Sequence, residues 1–507
     1  CVARLNADGS MDTSFNPTGT VPGKRVIDGL VINTSSFLRG VKVMIAADGR
    51  IVLATTCSLA NRNYICVARL NADGSFDGAF DGPDAGNPGN GRFRLQITTS
   101  LDEVLSDAAL QRIDGRIVLV GQCGSYHCVA RLRATDGSYD ADSADFGLLG
   151  PATADRPPGD PAANGRFLYR FPSTFNSAGV GNGIAVETSN EGKIVIAGTC
   201  GTSALELCIT KLNRDGTFDA DFRGDSLPVG QGGRVRILTT DESGNAVKQR
   251  AADIKMQADG RFLVQCGYFR TSSWSQCLYR INSDGTVATS FSSGLPFPSE
   301  PGRVVYNAIG DALAFTITPG SGSYANRVVT LGNCDGVGGN TGGTSCVTAV
   351  RNGTGPASAD GTIDTSLVGP NGDQLGTFNF RTRGLSLRNN DTREIVADAN
   401  GDFYIVGECD GQMCVYKFRA DGALDTGPCV ADVDADGRVS AASDGLAIVR
   451  NMLGVPIPAT IPPGLGYDID GDGVLNASRD GLLILRRMVG FTGTALLRDI
   501  PSATTAR

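Results

Sequence analysis

The chain has 507 residues, 53 acidic against 45 basic side chains and a formal charge of −8, with no basic run, which disfavours nucleic acid as a partner. Sixty-eight glycines and 19% charged residues suit a turn-rich all-β protein, and the length is ample for a large core. A single histidine, His127, and no Cys-x-x-Cys pair weigh against zinc, and neither a signal peptide nor a membrane span is visible.

One phrase recurs seven times: Cys1-Val-Ala-Arg-Leu-Asn-Ala-Asp-Gly, then again from Cys66, Cys128, Cys208, Cys277, Cys346 and Cys414. Successive cysteines lie 65, 62, 80, 69, 69 and 68 residues apart, about the length of one four-stranded unit with its turns. In the second unit the strands are read as Gly91 to Ile97, Asp107 to Ile113, Arg116 to Gly121 and Cys128 to Leu132. Between second and third strands stand Asp48-Gly49, Asp114-Gly115, Glu191-Gly192, Asp259-Gly260 and Asn400-Gly401, which predict two-residue hairpins with positive φ. The third strands, such as Ile117-Val-Leu-Val120 and Ile194-Val-Ile-Ala197, are nearly all apolar and need cover on both faces. Small sheets stacked around an axis give that cover, so the expected fold is an all-β propeller over residues 1–428, with six complete four-stranded blades or seven if a partial N-terminal blade is completed. The chain opens inside a fourth strand, so its natural start is expected upstream.

Twelve of the fourteen cysteines form local pairs, one per unit: Cys57 with Cys66, Cys123 with Cys128, Cys200 with Cys208, Cys266 with Cys277, Cys334 with Cys346 and Cys409 with Cys414. Each pair brackets a hairpin between third and fourth strands, where facing Cα atoms come within disulfide range. Six disulfides imply an oxidising compartment, hence a secreted, extracellular or cell-surface protein. Cys1 and Cys429 are left over.

The units resemble the delta-60 repeat family of bacterial extracellular proteins, on Arg69-Leu-Asn-Ala-Asp-Gly-Ser-Phe-Asp77 and Lys211-Leu-Asn-Arg-Asp-Gly-Thr-Phe-Asp219. The resemblance implies a β-propeller and an extracellular location, and no single activity. Asn282-Ser-Asp-Gly-Thr-Val287 lacks the following aspartate and the unit from Arg351 to Asp364 has a Gly-rich insertion, so irregular turns are expected there.

After residue 428 the pattern changes to Asp432-Val-Asp434-Ala-Asp436-Gly-Arg438, then Asp444 and an apolar run to Gly454, and it recurs as Asp468-Ile-Asp470-Gly-Asp472-Gly-Val474, then Asp480 and a run to Gly490. Carboxylates at alternate positions, a glycine at the sixth and a carbonyl at the seventh are what a tight loop needs around one hard cation. The pair looks like a type I dockerin, a small α-helical, EF-hand-like module over 429–490, followed by a tail over 491–507. The resemblance implies two calcium ions, the first held by Asp432, Asp434, Asp436, the Arg438 carbonyl and Asp444, the second by Asp468, Asp470, Asp472, the Val474 carbonyl and Asp480. One departure is shared by both copies: Ser443 and Arg479 occupy the twelfth position, where the closing acid normally stands, and the aspartate follows at the thirteenth. The helix face with Leu446, Val449, Leu453, Leu482, Leu485 and Val489 is expected to pack on a partner or on the propeller.

No catalytic constellation is singled out. His127 is expected as an exposed turn residue in a disulfide loop, no spacing isolates a pair among the acids, and one tryptophan, Trp274, is thin support for sugar binding. The expectation is a secreted calcium-binding structural or adhesive protein of a bacterial surface or extracellular assembly, not an enzyme. Its propeller would be a scaffold, and its dockerin-like module would join a protein partner or further copies of the chain, with a glycan ligand left open and neither nucleic acid nor a membrane span involved. The alternative is an extracellular polysaccharide-active hydrolase or lyase with a catalytic propeller.

Overall fold

Six antiparallel sheets stand around one axis in the computed structural model, which describes residues 1–425, 441–455 and 476–489 apart from loop stretches, the longest being 28–41, 147–164, 170–183, 334–343 and 382–391. A two-stranded sheet, β1 (Val2–Ala3) and β2 (Lys24–Arg25), precedes them. Blade 1 is β3 (Lys42–Ile45), β4 (Ile51–Leu59), β5 (Arg62–Leu70) and β6 (Arg92–Leu95), and blade 2 is β7 (Glu103–Leu110), β8 (Ile117–Cys123), β9 (Tyr126–Leu132) and β10 (Arg166–Tyr169). Blade 3 is β11 (Ile184–Thr188), β12 (Ile194–Cys200), β13 (Glu206–Leu212) and β14 (Arg234–Ile237), and blade 4 is β15 (Lys248–Met256), β16 (Phe262–Arg270), β17 (Ser273–Ile281) and β18 (Arg303–Ile309). Blade 5 is β19 (Ala312–Ile317), β20 (Val328–Asn333), β21 (Thr344–Val350) and β22 (Thr377–Arg381), and blade 6 has three strands among the described residues, β23 (Thr392–Ala397), β24 (Phe403–Cys409) and β25 (Gln412–Phe418). First strands neighbour one another in order from β3 to β23, and Lys42 of blade 1 closes the circle on Glu394 of blade 6 at 3.3 Å.

The propeller is as expected, but the units begin one strand later than the spacing suggested. Arg92–Leu95 is the last strand of blade 1, paired with β5, so Cys-Val-Ala-Arg-Leu is a third strand. Register explains this: Phe93 faces Val67 and Leu95 faces Ile65, all four buried in one core. A period counts the strands in a unit without marking which comes first. The near-apolar second strands are covered on both faces, and all seven residues of β12 are buried.

The hairpins between first and second strands also differ from expectation. In blade 1 Ala46 N–H donates to Arg50 O (2.8 Å) and Gly49 N–H to Ala46 O (2.9 Å), a three-residue loop closed by Gly49 at φ 81°. This is a turn followed by a left-handed glycine rather than a two-residue turn. Blades 3, 4 and 6 repeat it, whereas blade 2 has one residue more, with Gln111 N–H donating to Arg116 O and Gly115 N–H to Gln111 O.

Disulfides join Cys57–Cys66, Cys123–Cys128, Cys200–Cys208 and Cys266–Cys277, with Cα atoms 4.9 to 5.9 Å apart. They bridge second and third strands. Cys346 and Cys414 are also disulfide-bonded, while Cys334 and Cys429 lie outside the described residues and Cys1 is free and exposed.

The recurring phrase is an inter-blade fastener. In blade 1 Arg69 Nε donates to Asp77 Oδ2 (2.8 Å), its Nη2 donates to Thr135 O of blade 2 (2.7 Å), and its guanidinium lies 4.1 Å above the ring of buried Phe80. Arg131, Asp140 and Phe146 repeat the set in blade 2. In blade 4, where the aspartate is missing, Arg280 reaches forward to Asp360 of blade 5 (2.7 Å), so the lost partner is replaced from the neighbouring turn.

At the C-terminal end, single π-turns at Ala441–Gly445 and Ala477–Gly481 lead into α1 (Leu446–Met452) and α2 (Leu482–Met488). These helices pack on each other through buried Ile448 with Met452, Ile484 and Met488. A Cβ on Gly445 would come within 2.7 Å of Leu485, and one on Gly481 within 2.9 Å of Val449, so a larger residue at either position would push the facing side chains aside. Leu446, Leu453 and Val489 of the expected docking face are exposed.

Candidate functional site at the propeller axis

Where the repeat ends, the axis begins. The residue opposite the fourth position of each second strand is Lys42, Asp107, Ala185, Asp253, Ala314 and Glu394 in blades 1 to 6. Two residues further along the first strands come Met44, Ala109, Glu187, Lys255, Thr316 and Val396. Bulges in β7, β15, β19 and β23 fall just before Asp107, Asp253, Ala314 and Glu394, re-aiming these positions. Equivalent backbone thus carries unlike side chains, four of them acids and two of them lysines.

Asp107 and Asp253 do the same structural work two blades apart. Asp107 Oδ2 accepts from Val186 N–H of blade 3 (2.9 Å) and Oδ1 from Ala108 N–H (2.8 Å), and Asp253 Oδ2 accepts from Phe315 N–H of blade 5 (3.1 Å) and Oδ1 from Ile254 N–H (2.7 Å). Each pins the first strand of the next blade, which leaves its carboxylate little capacity for other chemistry. Lys42 Nζ lies 3.2 Å from Asp107 Oδ1 and 3.3 Å from Glu394 Oε2, and Lys255 Nζ lies 3.1 Å from Asp253 Oδ2. Burial opposes charge on both lysines, yet the carboxylates around them outweigh it and hold both ammonium groups above their ordinary range.

Glu187 and Glu394 are of a different kind. Burial pushes both carboxyl groups above the usual carboxylate range, against the opposing pull of Lys255 on each, of Arg112 on Glu187 and of Lys42 on Glu394. The Glu394 side chain keeps 39% of its surface exposed. Glu187 lines a cleft of about 470 Å³ together with Lys255, Thr316, Arg112 and the hairpin residues Gln257 to Asp259. A second cleft of about 650 Å³ adjoins it between blades 3 and 4 and shares the wall formed by Arg112 and Met256 to Asp259. Both volumes are in the range that holds small ligands.

None of these residues was singled out in the sequence. Their signal is positional: Lys42, Ala185, Asp253 and Glu394 stand seven residues before the glycine of the following hairpin, and Met44, Glu187, Lys255 and Val396 stand five before it. His127 is not the exposed turn residue expected. It lies in β9, 6% exposed, 5.2 Å from the ring of Tyr169, and burial pushes its pKa down to about 4. Trp274 is half-buried edge-on against Phe269, so it offers no open platform.

Of the expected calcium ligands, Asp444 and Asp480 are described. Both are fully buried in the two π-turns, and Asp480 Oδ2 accepts from Asn476 N–H (2.8 Å). Asp432, Asp434, Asp436, Arg438, Asp468, Asp470, Asp472 and Val474 lie outside the described residues. Among the described residues no three His, Cys, Asp or Glu side chains gather as a metal site, and no helix is long and apolar enough to cross a membrane.

Residues 1–15 and 46–80 match the family described as a domain of unknown function (DUF5122) beta-propeller, a match that takes in the phrases beginning at Cys1 and Cys66. The chain is a six-bladed β-propeller. No curated protein matches it in sequence. Solved structures similar to it include the polysaccharide lyase Uly1 (11% identity, 78% of this chain and 83% of that one, TM-score 0.38). A mutant NanB sialidase from Streptococcus pneumoniae (11%, 81% and 64%, TM-score 0.31) and an endo-arabinase from Bacteroides thetaiotaomicron (12%, 64% and 94%, TM-score 0.29) are others. The solved structures similar to this chain are mostly enzymes, which goes against the expectation of a structural or adhesive protein that is not an enzyme. Likeness this distant transfers no residue and no substrate to the chain.

Proposed function

We propose that the protein is an extracellular polysaccharide-active enzyme, a hydrolase or lyase, whose reaction takes place at the mouth of the propeller axis. The observation that carries the reading is Glu187: a carboxyl group raised by burial, on the wall of an open ligand-sized cleft, with Lys255 and Arg112 beside it. A carboxyl group that keeps its proton closer to neutral pH is suited to protonate a leaving glycosidic oxygen. Glu394, in the same axial ring and 3.3 Å from the Lys42 ammonium that favours its ionised form against burial, is the second carboxyl group of the proposal, as base or nucleophile. The lysines keep the four carboxyl groups from repelling one another. The disulfides suit an enzyme working outside the cell.

The test is release of reducing ends, and of unsaturated sugar ends detected by ultraviolet absorbance, from a panel of neutral and acidic polysaccharides. Glu187→Gln and Glu394→Gln should each lower kcat by about a hundredfold or more with an unchanged circular dichroism spectrum. No release from any substrate by the wild type, or full activity in both variants, would sink the proposal.

We also propose that residues 429–490 form a dockerin-like pair ordered by two calcium ions and serving as the attachment to a protein partner or a further copy of the chain. The duplicated loop motif supports it, as do Asp444 and Asp480, buried in matching π-turns. A π-turn takes up one residue more than an α-turn, which accounts for a closing acid at the thirteenth position in both copies. Titration calorimetry should detect two calcium sites, and changing Asp436 and Asp472 together to alanine should abolish them while leaving the propeller folded.

A further inference from the structure

Arg112 stands where the two clefts meet, on a hairpin one residue longer than those of blades 1, 3, 4 and 6. We infer that the axial cleft takes an anionic sugar residue, bearing a carboxylate or a sulfate ester, and that Arg112 is the side chain that selects it. The inference rests on the carbohydrate reading of the cleft and adds its substrate class.

Local charge runs against the charge of the chain. Around the axial cleft the cationic side chains are Arg112, Lys255, Arg261 and Arg280, against the acids Glu187 and Asp259, although the whole protein carries −8. Three of these cations are held at close range: Lys255 by Asp253 at 3.1 Å, Arg261 by Asp259 at 2.6 Å and Arg280 by Asp360 at 2.7 Å. Arg112 has a longer contact, 3.8 Å to Glu187, and 59% of its side chain is exposed. Its guanidinium therefore has donors to spare, and a planar fork of N–H groups matches a carboxylate or sulfate in a bidentate way.

The support beneath it is stiff. Gln111, 1% exposed, donates through Nε2 to Gly192 O of blade 3 (2.6 Å) and accepts at Oε1 from Arg131 Nη1 (3.4 Å). The outer cleft is lined by five acids, Glu191, Asp219, Asp221, Asp259 and Asp284, against Arg112, Lys193 and Lys211, with both lysines held by Asp219, so its balance is acidic and less favourable to an anion than that of the axial cleft. A chain lying across both clefts is thereby oriented, with its anionic residue toward the axis. The contact of Arg112 with Glu187 ties recognition to chemistry, since an anion that draws the guanidinium away removes a cation from beside the proposed acid.

Calorimetric titration of the full chain with an oligogalacturonate, a sulfated galactan oligosaccharide and a neutral galactan oligosaccharide tests this. An anionic probe should bind about tenfold or more tightly than the neutral one, with the advantage shrinking in high salt. Whichever of the two anionic probes binds better identifies the group as carboxylate or sulfate. Arg112→Gln should erase the advantage of the anionic probe over the neutral one, and Arg112→Lys should restore part of it. Equal affinity for all three probes, or an Arg112→Gln variant that retains the preference, would overturn the inference. Preferential binding of an anionic probe with no release from any polysaccharide of the panel would refute the enzymatic reading and leave this one standing, and cleavage of neutral glycan without anionic preference would do the reverse.

Discussion

The turns after the third strands and the strands around the axis are built on the same repeating backbone and follow opposite rules. At the turns the chemistry recurs: Arg69 with Asp77 and Phe80, Arg131 with Asp140 and Phe146, and Lys211 with Asp219 and Phe222 fasten successive blades in one way. Around the axis equivalent positions hold lysine, aspartate, alanine or glutamate. What recurs in this molecule assembles it, and what differs at matched register is free to meet a ligand. Their electrostatics differ in the same sense, since the turn carboxylates of Asp73 and Asp284 are lowered by hydrogen bonds from Ser75 and Thr286, while Glu187 and Glu394 are raised by burial.

The largest effect is expected when a fastener is removed. Asp140 and Arg131 are both fully buried, and Asp140→Ala leaves the Arg131 guanidinium between blades without its paired carboxylate and beside Arg116, whose own close partner is Asp114. Loss of one partner of a buried pair costs roughly 3 to 5 kcal/mol, to be read from urea denaturation. A loss below about 1 kcal/mol would mean that the recurring pairs are ornamental. Removing Cys266 and Cys277 together should cost less, about 2 kcal/mol, because the bridge closes a short hairpin between strands already paired residue for residue. The measurement is the same denaturation, and the variant should keep its blades.

Much of this architecture is legible in the residues. The cysteine-led phrase, the apolar second strands and the turn glycines all report local constraints, so the strand count, the disulfides and the blade size follow from them. Strand phase does not, because a circular repeat has no intrinsic origin and only the pairing of Arg92–Leu95 with β5 supplies one. The axial cluster is hidden for another reason. Its members lie far apart in the chain, from Lys42 to Glu394, and each by itself looks like an ordinary charged residue in a strand. Only alignment on the hairpin glycines, with the extra residue of blade 2 allowed for, puts them in one ring. His127 is misleading in the opposite direction, since a short disulfide hairpin reads as surface while its ring is stacked on Tyr169.

The smallest effect is in the sign of the pH dependence. Asp73 has a folded pKa below its ordinary value of 3.8, chiefly through the Ser75 hydroxyl and also the Ser75 N–H, so it stabilises the fold above that range and loses the contribution as pH falls through the folded pKa. Asp73→Asn should therefore be slightly less stable than wild type at neutral pH and converge on it in acid. Glu187 has a folded pKa above its ordinary value of 4.5 because burial penalises the charged form. The folded state then binds its proton more tightly than the unfolded chain does, so wild-type stability is fullest below the ordinary value and falls as pH rises through the folded pKa. Glu187→Gln carries no such penalty. Its stability relative to wild type should rise between acid and neutral pH, opposite to Asp73→Asn, when both are followed by denaturant midpoint across that range. Slopes of the same sign would mean that the axial carboxyl is as well solvated as a turn aspartate, and the acid assigned at the cleft would lose its physical basis.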